Sequence, residues 1–175
     1  LHFQRLLGRW IQNKGNDTEW TERSLFFKIA RYYELEAGAE LARQTLRKQQ
    51  RHAPIVVGRA ALVLGQLGDT NDIPLLEASI ENNSPIGRGA QRDELGVVGD
   101  IALAMCVVLS GQEPQDYGCK RAPVGPLAFE KGNYIQYRFD KGEDDKRQAA
   151  RTKWKKWRAA KELAPRDPAA SQVKD

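Results

Sequence analysis

The sequence offers few residues that could act on a substrate or hold a metal ion. Its 175 residues include only two histidines, His2 and His52, and two cysteines, Cys106 and Cys119. No histidine pair, CxxC or HExxH spacing occurs, and these are the patterns that build zinc and di-metal sites. We therefore expect no metal site and no bound cofactor.

A nucleophilic cysteine would lack the groups that activate it. Cys106 lies in an apolar run, where a buried and inert thiol is the expected state, and pairing with Cys119 stays open. A Cys–His nucleophile would need His52 and a third group to orient it, and no third group is evident. Asp72 and the acidic residues 143–145 suit turns and helix caps better than cation binding. The inventory predicts no catalytic residue and no enzyme activity.

The clearest charged feature is a basic segment near the end of the chain. The formal net charge is +5, and residues 141–175 hold the whole excess because the charges of residues 1–140 sum to zero. Between Lys146 and Lys161 there are eight basic residues and no acid. Ala150, Trp154 and Trp157 recur within this segment at helical spacing. We predict a basic C-terminal helix with a narrow apolar stripe, capped by the acids before it.

This basic helix has two interpretations. Its tryptophans can dock on the domain and leave the cations as a solvated face, or the basic face can bind nucleic-acid phosphates while an exposed tryptophan stacks on a base. Tryptophans at helical spacing usually act as anchors, which favours docking. The candidate partner-binding or anion-binding residues of the chain are Lys146, Arg147, Arg151, Lys153, Lys155, Lys156, Arg158, Trp10 and Trp20.

Helical spacing dominates the rest of the chain, and strand-like alternation does not persist. The clearest unit is a hairpin of two helices that starts at Pro54 and turns at residues 68–72, where Asp72 can cap the second helix. A shift of 42 residues aligns Ile55 with Val97 and gives a second copy of the first helix. Repeats of about 30–45 residues are typical of α-solenoids. We predict an all-α fold: a short right-handed α-solenoid of helical hairpins that the basic helix caps.

Two further helices are expected before this hairpin. Phe3, Leu6 and Trp10 share one side of an opening helix, and residues 25–33 carry the apolar positions of the next. The pattern then loosens before a new apolar run starts at Ala39. These helices would form the N-terminal end of the stack.

Several stretches of the sequence resemble known repeat proteins. The run from Gly65 to Leu76 resembles the turn and second helix of HEAT-like repeats. Residues 100–105, 109–112 and 116–118, together with the basic helix, are similar to HEAT-like proteins of planctomycete bacteria. The resemblance covers about residues 20–160 and supplies no catalytic residues, and we expect one domain over residues 1–163. We expect inserted loops at 84–92 and 111–141 and a flexible tail at 164–175; Cys119 departs from the pattern, which has an aromatic or aliphatic residue there.

A helical stack without catalytic groups points to binding. We expect a protein–protein interaction or scaffold module, a subunit of a larger assembly, because the chain has more aromatic residues than narrow helices need: Phe3, Trp10, Trp20, Phe26 and Tyr32. The alternative is a nucleic-acid-binding repeat protein that uses the basic helix. The apolar runs are too short for a membrane span. Because the chain starts at Leu1 rather than Met, we expect a processed or excised piece, and both exported and cytoplasmic locations stay open.

Overall fold

The computed structural model describes residues 2–14, 20–86, 96–120 and 137–163. Within these ranges the chain forms seven α-helices: α1 (His2–Lys14), α2 (Trp20–Tyr33), α3 (Glu36–Arg47), α4 (Pro54–Leu67), α5 (Ile73–Glu77), α6 (Val98–Leu109) and α7 (Asp144–Leu163). The described residues contain no β-strand, only isolated antiparallel bridges between Pro85 and Val97 and between Lys120 and Arg138. The predicted all-α class is therefore confirmed.

The core forms around α4 and α6, the two most apolar helices. In α4 the residues from Val56 to Leu64 are almost all buried, and in α6 every residue from Val98 to Val107 is buried. Pro54 starts α4 because its fixed φ angle suits a first turn. α4 packs against α2, α3 and α6, while α5 and α7 cover α6 and α1 lies against α3 and α2. Each outer helix buries one side only.

The described parts of the predicted inserted loops lie against the folded domain. At the first loop, the Ile86 N–H donates to the carbonyl of Gly96 at 3.2 Å. At the second, Tyr117, Cys119 and Phe139 are buried in the core. Residues 87–92 and 121–136 of these loops, and the tail predicted at 164–175, lie outside the described residues.

Both cysteines are free and buried thiols. Burial raises the pKa of Cys119 to about 12, and it also raises the pKa of Cys106. Since the thiolate is the reactive form, neither side chain is suited to nucleophilic chemistry near neutral pH. The two cysteines are not joined in a disulfide, which closes the alternative that the sequence left open.

The loosened sequence pattern before Ala39 is a close helix contact rather than a break. α3 already begins at Glu36, after a tight turn in which Glu34 adopts a φ of 51°. Gly38 faces Ala30 of α2, and a Cβ on Gly38 would overlap the Cβ of Ala30. Glycine at this position therefore lets α2 and α3 approach closely.

This contact predicts a strong difference between two glycine-to-alanine substitutions. Gly38→Ala should lower the free energy of unfolding by about 1–3 kcal/mol, because the added methyl group meets a packed helix. Gly8→Ala is the matched control, because its Cβ would lie 3.9 Å from Ala37, an ordinary contact, and alanine favours the helix. Urea unfolding should show Gly8→Ala neutral or stabilising; equal losses for both variants would contradict the packing described.

The turn between α4 and α5 corrects the expected role of Asp72. Asp69, not Asp72, makes the local cap: its carboxylate accepts the Asn71 N–H at 2.7 Å, and Asp72 reciprocates by accepting the Asp69 N–H at 3.2 Å. Asp72 makes no capping hydrogen bond to α5. Its carboxylate instead binds Arg43 of α3 through two hydrogen bonds of 2.7 and 3.0 Å. Pairing with a distant cation takes the carboxylate away from the helix end.

The Arg43–Asp72 pair predicts a loss of stability in acid. Burial alone would raise the pKa of Asp72, but the hydrogen bond from Arg43, the Asp69 N–H and the guanidinium charge together lower it from its ordinary value of 3.8. The folded pKa is below the unfolded one, so this stabilisation is complete above about pH 4 and disappears as the pH falls through the folded pKa. The difference in unfolding free energy between the wild type and Asp72→Asn should therefore shrink from about pH 7 to about pH 2. A difference that stays constant over this range would contradict the prediction.

Candidate partner-binding site

The apolar stripe of α7 is docked on the domain. The Trp154 side chain is 1% exposed, and its indole N–H donates to a carboxylate oxygen of Glu77 at 2.9 Å. Trp157 stacks on Trp154 with ring centroids 5.1 Å apart and is half-buried. The structure thus shows the docking interpretation for Trp154, whose ring has no face left for a nucleic-acid base.

Arg147 connects α7 to a buried carboxylate of α6. The Asp100 side chain is fully buried and accepts hydrogen bonds from Arg147 at 2.7 and 3.3 Å. The same carboxylate accepts the backbone N–H of Phe139 at 3.2 Å. The Asp100 carboxylate thus joins three parts of the chain, and Arg147 is occupied within the domain.

Two more of the predicted anion-binding cations share one carboxylate. Arg151 is 4% exposed and donates to Glu81 at 2.9 Å and to the side-chain oxygen of Asn83 at 2.8 Å. Lys155 donates to the other oxygen of Glu81 at 2.8 Å. The hydrogen bond from Lys155, together with both cation charges, lowers the pKa of Glu81 against the effect of burial, so Glu81 stays ionised. The buried Arg151 cannot reach an external phosphate while α7 is docked in this way.

Most of the remaining α7 cations also bind within the domain: Lys146 with Glu143 at 2.7 Å, Lys153 with the carbonyl of Asp116 at 2.7 Å, and Arg158 with Glu77 at 3.3 Å. Lys156 lies on the exposed side of the helix, and no described residue pairs with it. External anions would have to compete with these intramolecular contacts. α7 is therefore docked on the domain, and most of its cations are paired with carboxylates of the domain itself.

The opposite end of the domain exposes a set of large apolar side chains, which we call the α1–α2 face. Its members are Phe3 (58% exposed), Leu6 (61%), Trp10 (42%), Leu25 (48%) and Tyr32 (64%). These are the large apolar side chains that the described residues leave exposed. Single exposed apolar residues are ordinary, whereas five of them on two adjacent helices make this face the candidate partner-binding site.

Ring contacts join the two helices into one surface. Trp10 of α1 meets the buried Phe26 of α2 edge-on, with centroids 4.7 Å apart and planes at 86°. Phe3 meets Tyr33 in the same way at 5.6 Å, and Tyr33 in turn contacts Tyr32 at 4.9 Å. Edge-to-face contacts of this kind fix ring orientation. The exposed rings therefore have fixed orientations on the surface.

Helix geometry explains why α1 leaves this side uncovered. Ile11 is fully buried beside α3, and Leu7, one turn earlier, packs against the same core. Phe3, Leu6 and Trp10 are spaced by three and four residues, so they lie together on the flank of α1 rather than on its core side. Apolar spacing alone revealed the amphipathic helix but not which flank the core would cover.

The predicted aromatic set divides accordingly. Trp10, Phe3 and Tyr32 are exposed, whereas Phe26 is a core residue at 2% exposure. Trp20 begins α2, and its side chain lies outside the described part of the structure. Leu6 and Leu25 complete the face, although the sequence did not single them out as binding residues. Helical spacing could have placed them there, because Leu6 lies on the same side of α1 as Trp10 and Leu25 on the same side of α2 as Tyr32.

The described residues contain no cluster of three or more His, Cys, Asp or Glu side chains that could hold a metal ion. Across the same residues, no helix combines the length and apolarity that crossing a bilayer requires.

The chain matches no protein-family model, no curated protein and no solved structure. The HEAT-like resemblance therefore stays a prediction.

Proposed function

We propose that this chain is a non-enzymatic protein–protein interaction module, built on HEAT-like helical hairpins, that binds its partner through the α1–α2 face. The observation that carries the proposal is the clustering of five large, exposed apolar side chains on two adjacent helices. Tryptophan and tyrosine side chains, which this cluster contains, are frequent anchors of protein interfaces. The chain would serve as a scaffold or as a subunit of a larger assembly.

The order of helix packing supports the solenoid part of this proposal. α2, α4 and α6 pack against one another in chain order. α1 packs on α3, α3 on α5, and Trp154 of α7 binds Glu77 of α5, so the odd-numbered helices follow the same order. Two parallel rows of helices are expected of a short right-handed α-solenoid, in which each hairpin contacts its neighbours.

The two ends of this stack differ in a way that supports partner binding. Terminal repeats of solenoids present polar outer faces to water. α7 meets this requirement, because its outward side carries Lys156, Thr152 and Gln148. The α1–α2 end does not, so a partner that covers it would bury apolar surface that water now contacts.

The nucleic-acid alternative has weaker support. It would use the basic helix α7, where Arg147 and Arg151 are bound to carboxylates of the domain itself. Phosphate binding draws its free energy from cations that are available to displace counterions. The intramolecular pairs reduce that contribution, and no observation favours this alternative over a protein partner.

The proposal predicts the effect of removing two exposed leucines. Leu6→Ser/Leu25→Ser should lower the ratio of co-purified partner to tagged chain at least about tenfold, because each leucine buried at an interface contributes about 1.5–3 kcal/mol. Purification from the native organism, with quantitative mass spectrometry of the partner, gives the measurement. Stability should hardly change, since both side chains are exposed in the free chain.

Lys156→Ser is the matched control, because Lys156 is exposed on α7 at the other end of the domain. It should retain the partner at the wild-type ratio. Recovery of the chain alone under gentle conditions, or equal partner recovery by wild type and the double-serine variant, would overturn the proposed function.

A further inference from the structure

Cations border the α1–α2 face on its α1 side. Arg5 and Arg9 are exposed and one turn apart, and Arg9 lies one turn from Leu6 of the face. α1 contains no acidic residue. No described residue forms an ion pair with either arginine. The guanidinium groups are therefore available to an external anion beside the apolar side chains.

A further cation borders the face on its α2 side. Lys28 lies one turn from both Leu25 and Tyr32. Burial and the nearby positive charge of Arg59 both lower the pKa of Lys28. No described acidic residue pairs with Lys28, so its electrostatic neighbour is another cation. A negative charge brought to this edge would relieve that repulsion.

This positive charge differs from that of α7. α1 and α2 together hold six basic residues and the single acid Glu22. The α7 cations are mostly paired with carboxylates of the domain, whereas no described carboxylate pairs with Arg5, Arg9 or Lys28. The positive charge of Arg5, Arg9 and Lys28 is therefore available for contacts with another molecule.

We infer that the α1–α2 face binds an amphipathic α-helix of a partner protein whose apolar stripe is flanked by aspartate and glutamate. The inference rests on the proposed function and specifies the partner. Apolar side chains of such a helix would pack on Trp10, Leu6 and Leu25, and its acids would lie opposite Arg9 and Lys28. A helix docked on an apolar surface is a common recognition mode, in which flanking charges set orientation and association rate.

Two other occupants fit the surface less well. A second copy of the chain, docked by twofold symmetry, would bring two faces of the same positive charge together, which costs free energy. An anionic membrane would attract the cations, but edge-to-face contacts with α2 hold the Trp10 and Phe3 rings in place. Rings fixed in a surface suit a complementary helix better than insertion between lipids.

The test uses the full chain and two fluorescein-labelled helical peptides of 18 residues. Both peptides carry leucine at helical spacing (i, i+3, i+4, i+7 and so on along the peptide). The remaining positions hold mainly glutamate in the first peptide and mainly lysine in the second. Fluorescence anisotropy at about 50 mM salt should give at least about tenfold tighter binding of the glutamate peptide, with a loss of affinity as salt rises. Arg5→Glu/Arg9→Glu should reverse the preference, whereas Lys156→Glu should leave it unchanged.

Three results would overturn the inference: equal binding of the two peptides, an unchanged preference in Arg5→Glu/Arg9→Glu, or tighter binding to vesicles of phosphatidylserine and phosphatidylcholine than to the glutamate peptide. The native partner separates this inference from the proposed function. If Leu6→Ser/Leu25→Ser loses the co-purified partner and Arg5→Glu/Arg9→Glu keeps it, the acidic partner is wrong and the interaction face stands. If both variants keep it, both are wrong.

Discussion

Trp154→Ala is expected to lower the free energy of unfolding by about 3–5 kcal/mol. The indole ring is 1% exposed and fills the contact between α7 and the rest of the domain. Its removal leaves a cavity at this contact and deprives the Glu77 carboxylate of the indole N–H. Denaturant unfolding followed by circular dichroism measures the loss.

Two further variants separate the sources of this effect. Trp154→Phe keeps most of the apolar volume and loses the hydrogen bond to Glu77, so it should cost about 1–2 kcal/mol. Trp157→Ala removes a ring of the same size that is only half-buried, and it should cost less than Trp154→Ala. If Trp157→Ala were the more damaging change, α7 would not be docked in the way described.

Asp100→Ala should lower the free energy of unfolding by about 3–5 kcal/mol, because it removes a fully buried carboxylate whose partner is Arg147. The substitution leaves the guanidinium without its buried counterion and the Phe139 N–H without its acceptor. We expect the variant to release the start of α7 and residues 137–140 first, which hydrogen exchange can follow.

Asp144→Ala is the matched control, because Asp144 is the second carboxylate bound to the same guanidinium of Arg147. The Asp144 side chain is 83% exposed, so its loss should cost about 0–1 kcal/mol. Equal losses in Asp100→Ala and Asp144→Ala would show that burial of the Asp100 pair adds nothing to stability.

The sequence was most informative where apolar spacing was dense. The helical periods of α4, α6 and α7 predicted the all-α class, and Trp154 lies where the stripe of α7 placed it. The apolar positions of α1 and α2 were less informative, because the spacing of Phe3, Leu6 and Trp10 is the same whether a core or a partner covers them. Only the packing of Ile11 against α3 decides which flank of α1 stays exposed.

Charge pairing was harder to predict than helix formation. The net charge of residues 141–175 suggested an available basic face, but the partners of Arg147 and Arg151 lie 47 and 70 residues away in the chain. The net charge of residues 1–140 is zero, because acids in other segments balance the basic residues of α1 and α2. The total therefore did not indicate that these two helices are basic. Asp72 was assigned to a helix cap for the same reason: its partner Arg43 is distant in sequence.

The central claim, that the α1–α2 face is the partner-binding surface, is tested most directly by hydroxyl-radical footprinting of the chain alone and in complex with its co-purified partner. The account predicts that oxidation of Phe3, Leu6, Trp10, Leu25 and Tyr32 falls several-fold in the complex, while Trp157 on α7 reacts equally in both. Unchanged oxidation of the α1–α2 face, together with protection of α7 or another surface, would contradict it.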